Sequence, residues 1–359
     1  MRRSRRYLYL TLFVIAAVGA WSTFWFYLAG QVRTRTDEWI ARQAAQGVEV
    51  AYTDLAVNGY PYRIEVTVSN LTASGPRLPG KGALAVPKLT VLSLPWNPRL
   101  VVGSIEGEVL FRWTDPKGIE QRATYTAEST GFSLGLEDGQ AARFAFSGSA
   151  TVLRATTLPG PVSAKVFEVH ARRFAGGPAP EGEPAGGGAS PTAPLLGEIA
   201  IDAEAVQLPP GIETPLGPTI ESAGYTIGLT GQIPPLAQGQ DPRLLVDEWA
   251  RNGGTVELSR AETKWGPLDL TLTGSFSVDG QRRPIGAIAG RVGGLDPLVD
   301  AAVARGDMTE GQAAGVKRAL NTIGFIARDA QGRVPVSVTI QDGKVKVGPV
   351  PVGEVRPLF

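Results

Sequence analysis

Few side chains in this sequence are equipped for covalent or metal chemistry. The chain has no cysteine and a single histidine, His170. That excludes a thiolate nucleophile, a disulfide framework, a cysteine zinc site and any cluster of imidazole ligands. One histidine would suffice for a serine triad, but no Gly-x-Ser-x-Gly elbow follows a strand. His170 instead ends an alternating stretch, Glu168, Val169, His170, Ala171, Arg172, Arg173, which reads as a strand at the surface.

The other candidates are weaker. Glu106 and Glu108 are two apart and share one strand face, where paired acids could do glycoside chemistry or hold a divalent ion. The same pair also suits the solvated side of a half-buried strand, and that is the reading taken here. Gly186, Gly187 and Gly188 lack the lysine and the helix onset of a phosphate loop. Asp342 and Gly343 have no calcium-loop pattern around them and fit a hairpin turn. Arg63 follows Gly59, Tyr60, Pro61, Tyr62 and is read as capping that turn rather than clamping an anion. Trp39 and Trp249 could touch a ligand, but are read as equivalent core anchors of two repeats. No residue is therefore assigned a catalytic, cofactor-binding or metal-binding role, no cofactor is expected, and the chain is read as no enzyme. A hydrolase built on His170 is the low alternative.

The N-terminus says where the chain belongs. Arg2, Arg3, Arg5 and Arg6 precede an uncharged stretch, residues 7–32, of which residues 8–29 alone would rise about 33 Å as a helix and cross a bilayer core. Cationic residues stay on the cytoplasmic side, and Trp21, Trp25 and Tyr27 suit an interfacial belt at the far end. The competing reading is a cleaved secretory signal with its site at Val18, Gly19, Ala20. Cleavage there would leave an aromatic run, Trp21 to Tyr27, at the new N-terminus in water. The expected location is the bacterial inner membrane, single-pass, with the N-terminus cytoplasmic and the bulk periplasmic. Without the four arginines the net charge of +1 falls to −3. No concentrated basic face is left for nucleic acid.

Beyond the anchor the hydrophobic period is mostly two. Val48 and Val50, then Ile64, Val66 and Val68, read as antiparallel strands after a helix over residues 37–46 that is capped by Gly47. Strands follow over residues 89–94, 104–113, 131–136, 143–153, 162–171, 197–208 and 222–230. A helix is read over 241–252, two more over 298–305 and 309–328, and a closing hairpin turns at Asp342, Gly343. Asp296 and Pro297 read as the cap and first-turn proline of the first C-terminal helix. Thr309 with Gln312 reads as the capping box of the second, whose stripe is Val316, Leu320, Ile323 and Ala327. Residues 175–194, nearly all Ala, Gly, Pro, Glu and Ser, read as a flexible linker.

Asp37, Glu38, Trp39, Ile40, Ala41, Arg42 recurs as Asp247, Glu248, Trp249, Ala250, Arg251, each followed by a glycine, a strand, a Gly/Pro turn with an aromatic and a second strand. This is an internal repeat of one supersecondary unit. The expected fold is mainly β with packed helices (α+β). It has an anchor over 1–30, a first β-rich half over 31–174, the linker over 175–194, and a second half over 195–359, each half a curved sheet with a helix.

Gly59, Tyr60, Pro61, Tyr62, Arg63, then Trp265, Gly266, Pro267, Leu268 with Gly274, and the terminal Gly348, Pro349, Val350, Pro351, Val352, Gly353 leading to Pro357 and Leu358, resemble the bacterial family known as domain of unknown function 2125, typical of alphaproteobacteria. The resemblance covers nearly the whole chain beyond the anchor and implies a membrane-anchored envelope protein with no assigned reaction. In layout the chain is also similar to AsmA-like proteins, which join one membrane helix to extended periplasmic sheet and are associated with lipid traffic. The expected function is binding of lipid or another hydrophobic molecule, or support of envelope assembly and maintenance. Its expected partners are the inner membrane, a lipid or hydrophobic ligand, and envelope proteins. A ligand-free interaction scaffold is the alternative. Apolar sheet positions in excess of what the helices cover would separate the two.

Overall fold

The computed structural model describes residues 2–174, 195–231, 242–348 and 350–358; the side chains of residues 2–6, 242–243, 319–326 and 350–352 are also outside the description. The 175–194 segment and Gly186 to Gly188 therefore lie outside it. The expectation of a mainly β chain with packed helices holds, with eighteen strands and four α-helices among the described residues. They form two compact units, residues 1–141 with 148–158 and residues 142–147 with 159–359.

In the first unit one helix, α1 (Arg2–Ala45), continues without a break from the apolar stretch into the helix expected at 37–46. It is long and apolar enough to cross a membrane. Next come β1 (Glu49–Ala51) and β2 (Asp54–Asn58), which pair in turn with β3 (Ile64–Ser74). β3 pairs with β4 (Ala83–Leu94), which meets β5 (Asn97–Glu106) at one end and β6 (Val109–Thr114) at the other. β5 joins β8 (Ser129–Glu137), and β6 joins β7 (Glu120–Thr126), which pairs with the end of β9 (Gln140–Ala155). The single strand expected over 104–113 is thus two. Gly107, at φ +93°, breaks it beside the Pro87 ring, a backbone state that L residues rarely hold. β7 was not legible, because Glu120, Gln121 and Arg122 start it without alternation.

Trp21 and Trp25 tie α1 to this sheet. Their indole N–H groups donate to the carbonyls of Pro61 and Arg63, each at 2.9 Å, and Ser22 shares a 2.8 Å hydrogen bond with the Tyr60 hydroxyl. About two turns further on, the Arg33 guanidinium donates to the Leu55 carbonyl on β2 at 3.0 Å.

The second unit is a meander. β10 (Val162–Arg173), β11 (Leu195–Gln207), β12 (Thr219–Thr230), β13 (Val256–Trp265), β14 (Leu268–Val278), β15 (Pro284–Gly293), β16 (Val334–Gln341), β17 (Lys344–Val347) and β18 (Val350–Glu354) pair each with the next, all antiparallel. Three helices interrupt it: α2 (Pro242–Arg251), α3 (Asp296–Ala304) and α4 (Glu310–Ala327). The expected capping box is present. The Gln312 amide donates to the Thr309 hydroxyl oxygen at 3.3 Å, and the Thr309 amide to Gln312 Oε1 at 2.8 Å. α3 differs from expectation: its N-cap is Leu295, with no side-chain cap, and Asp296 is already inside the first turn. Of the α4 stripe, Leu320 and Ile323 fall outside the described side chains.

The helices α1 and α2 end alike. The amides of Gly47 and Val48 bond the carbonyls of Ala44 and Gln43, while those of Gly253 and Gly254 bond Ala250 and Trp249. Both glycines sit at φ +78°, the left-handed residue that ends a helix in a Schellman motif. Aligned on these caps, the two tryptophans do not correspond. Trp39 stands eight residues before its glycine and Trp249 four. Trp249 is 8% exposed and donates its indole N–H to the Thr230 carbonyl at 2.8 Å, whereas Trp39 is 45% exposed. The expectation of equivalent core anchors therefore fails for Trp39. The repeated letters are one helical turn out of step with the caps.

Candidate functional site

A surface unlike ordinary solvated sheet lies in the second unit and follows from strand register. Because side chains alternate across a strand, residues paired across neighbouring strands share a face. One row across the sheet reads Ala171, Ile199, Ile227, Leu258, Gly274, Ile288, Val338. The next reads Val169, Ile201, Tyr225, Ala261, Leu272, Gly290, Val336, the step from Leu258 to Ala261 being absorbed by a bulge. The opposite face carries Glu168, His170, Arg172, Glu198, Asp202, Thr226 and Arg260, where Arg260 pairs with Asp202 at 2.6 Å and Arg172 with Glu198 at 3.2 Å.

The apolar face is covered unevenly. Over β14 to β16 it forms the core, with Leu268 and Val292 buried beside Leu216 and packed by Leu298 of α3 and Val336. Besides α3, α2 meets β14, and α4 meets both α3 and β16. Over β11 and β12 the same face opens to solvent: Ile199 is 49% exposed and Ile227 43%. Tyr225 anchors the border between the two zones, sharing a 2.7 Å hydrogen bond with the buried Thr263 hydroxyl. Apolar side chains aligned on adjacent strands make a continuous exposed apolar strip rather than scattered single residues.

The residues singled out from the sequence do not assemble with it. His170 lies on the polar face, 3.7 Å from the Glu168 carboxylate, with Ala200 as its cross-strand neighbour. Gly131, Phe132, Ser133, Leu134, Gly135 do spell the hydrolase pattern, but inside β8, where Ser133 pairs with Val102 rather than standing at a strand-to-helix elbow. Glu106 pairs with Lys88 at 2.9 Å, and Glu108 sits past the Gly107 break, outside both strands. Arg63 pairs with Glu65 at 2.7 Å as well as closing its turn, with its amide on the Gly59 carbonyl. Asp342 and Gly343, both at positive φ, join β16 to β17 in a two-residue hairpin of the kind expected. An open groove of about 620 Å³ beside α2 is lined by Asp247, Arg251, Asp279 and Arg282, but Asp247 is bonded by Arg282 at 2.8 Å and Asp279 by Arg283. Among the described residues no three His, Asp or Glu side chains gather as metal ligands.

Sequence reasoning missed a recurring turn. Asp279 accepts the amides of Gln281 and Arg283 on one oxygen and the Arg283 guanidinium on the other; Asp329 repeats this with Gln331 and Arg333. Burial pushes both carboxyls up, but the Arg amides, the guanidiniums and the Gln amides outweigh it and hold them below the ordinary carboxylate value. Asp115 makes the same turn with Ile119 in the arginine position, and the Ile119 amide is the chief cause of its lowered pKa. The signal was Asp with a basic residue four positions on, at a hairpin.

The chain is thus a β-rich protein with one N-terminal helix of bilayer-spanning length and a partly uncovered apolar sheet face. Residues 25–356 match the family described as an uncharacterized protein conserved in bacteria (DUF2125), and the chain belongs to that family. No curated protein and no solved structure matches it. The resemblance drawn from the Gly-Tyr-Pro-Tyr and Trp-Gly-Pro turns is borne out, while the expected likeness to AsmA-like proteins is not shown.

Proposed function

We infer that this protein is held in the bacterial inner membrane by α1, with its sheets in the periplasm, and binds a lipid acyl chain or another hydrophobic molecule along β11 and β12. The observation that carries this is the change of cover along one continuous apolar face, buried beneath α3 and open at Ile199 and Ile227. Burying such surface is worth about 25 cal/mol per Å², so an acyl chain laid along the strip gains more than water offers. An apolar ligand also needs no polar constellation, in keeping with the internally paired charges of the polar face. The helix cap, strand, turn and strand that follow both α1 and α2 support descent from a repeated unit.

The test uses the full chain in nanodiscs containing a phospholipid with a diazirine in its acyl chain. After illumination, cross-linked peptides are mapped by mass spectrometry. Adducts on β11 and β12 in addition to α1, reduced by Ile199→Lys with Ile227→Lys, are the expected result. Adducts confined to α1 would remove the lipid reading and favour the interaction scaffold.

A further inference from the structure

A second surface, in the first unit, has its own geometry. The turn from Gly59 to Arg63 is bonded to α1 by Trp21 and Trp25, and the turn at Pro95 and Trp96 lies against the same place, with the Trp96 ring 6.2 Å from that of Trp21. Tyr60 stacks on Phe26 and meets Trp25 edge-on. The rings that face outward here are large: Tyr62 is 74% exposed and Trp96 59%.

The position of this collar along α1 is decisive. Arg6 is the last of the N-terminal cations and, at about 1.5 Å per residue, Trp21 lies only about 22 Å further along the helix. A bilayer core is about 30 Å thick, and Arg6 reaches back to the near headgroups along its own side chain, so the far boundary falls between about residue 22 and residue 26, at the level of the collar. The turns that carry Tyr60, Tyr62 and Trp96 therefore cannot stand clear of the lipid.

Several of the turn's backbone polar groups are paired within the protein. Backbone polar groups in lipid must be satisfied within the protein. Here the Gly59 carbonyl accepts the amides of Tyr62 and Arg63, the Pro61 carbonyl accepts the Trp21 indole, the Arg63 carbonyl accepts the Trp25 indole, and Pro61 has no N–H to satisfy. Tyrosine and tryptophan, apolar rings with one polar tip, are the residues that settle at the headgroup level.

We propose that the Tyr60–Tyr62 and Trp96 turns are a membrane-docking surface, seated in the outer interface of the same bilayer that α1 crosses. The proposal rests on the reading of α1 as an anchor. It makes the first unit a body partly sunk in the membrane rather than one tethered above it by a free helix. Its ligand is the phospholipid headgroup and glycerol region.

The absence of native cysteine allows one reporter at a time. The full chain carries Tyr62→Cys, Trp96→Cys, Phe13→Cys or Lys117→Cys, each labelled with a polarity-sensitive fluorophore, in vesicles of phosphatidylethanolamine and phosphatidylglycerol. Lys117 lies in the β6–β7 turn, at the end of the sheet opposite Trp96. Expected are blue-shifted emission at 62 and 96 with stronger quenching by a nitroxide near the headgroup than by one deep in the chain, deep quenching at 13, and quenching by aqueous iodide alone at 117. Iodide quenching at 62 and 96 equal to that at 117, with 13 still quenched from the lipid, would overturn the docking while leaving the anchor. Loss of lipid quenching at 13 as well would overturn both. If one label disturbs the turn, Tyr62→Phe and Tyr62→Asp replace it. Iodide quenching of the label on Trp96→Cys in these two chains is then expected to stay low with Phe and to rise with Asp; equal quenching in the two would count against the docking.

Discussion

Replacing Trp249 by alanine tests how the second unit is held together and separates it from its sequence double, Trp39. Trp249 is nearly sealed from solvent, and its ring fills the place that a side chain on Gly254 would need. Truncating a buried aromatic costs about 3–5 kcal/mol. Part of that is visible in Trp249→Phe, which keeps most of the ring but leaves the Thr230 carbonyl without the indole donor; Thr230 is 1% exposed, and an unsatisfied buried carbonyl costs about 1–3 kcal/mol. Trp39→Ala, at an exposed helix position, is expected to cost about 0.5 kcal/mol. Hydrogen exchange of the full chain in micelles, read by mass spectrometry on the β12 end and the start of β13, measures the difference. Since about 1.4 kcal/mol is a factor of ten, Trp249→Ala should speed exchange there by roughly two to three and a half decades. Trp39→Ala should leave β1 to β3 nearly unchanged. Equal acceleration of the two regions by their own alanine variants would refute the cap-based alignment and restore the tryptophans as equivalent anchors.

Other expectations follow from single contacts. A side chain at Gly103 would run into the Phe132 ring and the Thr90 carbonyl, so Gly103→Val should destabilise the first unit by about 1–3 kcal/mol in thermal melting, and Phe132→Ala in the same chain should recover the part due to the ring. Thr309→Ala removes one arm of the capping box on α4 and should cost about 0.5–2 kcal/mol, seen as faster exchange at the helix start, while Thr309→Ser should not. Asp279 and Asp329 have folded pKa values below their ordinary 3.8. Their contribution is complete above the unfolded value and is lost as pH falls through the folded ones. Asp279→Asn with Asp329→Asn should therefore lower stability at neutral pH and flatten its decline below about pH 4 in acid titrations followed by circular dichroism.

The parts of the fold legible in the sequence were those with local chemistry. The Thr309 and Gln312 box, the Asp342–Gly343 hairpin and the glycines after α1 and α2 all announce themselves within five residues, because the bonds that define them are that short. Alternation found most strands but failed on β15, Pro-Ile-Gly-Ala-Ile-Ala-Gly-Arg-Val-Gly, where Gly286 and Gly290 occupy apolar-face positions so closely approached by β14 that a side chain would meet its carbonyls. The repeat misled over Trp39 because identical letters were aligned instead of identical backbone states. Neither candidate surface could be read in advance. The uncovered strip depends on the register of seven strands, and the aromatic collar on hydrogen bonds between residues about forty apart.

The central claim is that the apolar strip at Ile199 and Ile227 holds a hydrophobic ligand. It is tested most directly by a polarity-sensitive fluorophore on Ile227→Cys in the full chain, titrated with lysophosphatidylethanolamine, beside the same label on Thr226→Cys on the opposite face. A saturable blue shift at 227 with none at 226 is the expected result. No shift at 227, or equal shifts at both positions, would contradict the account.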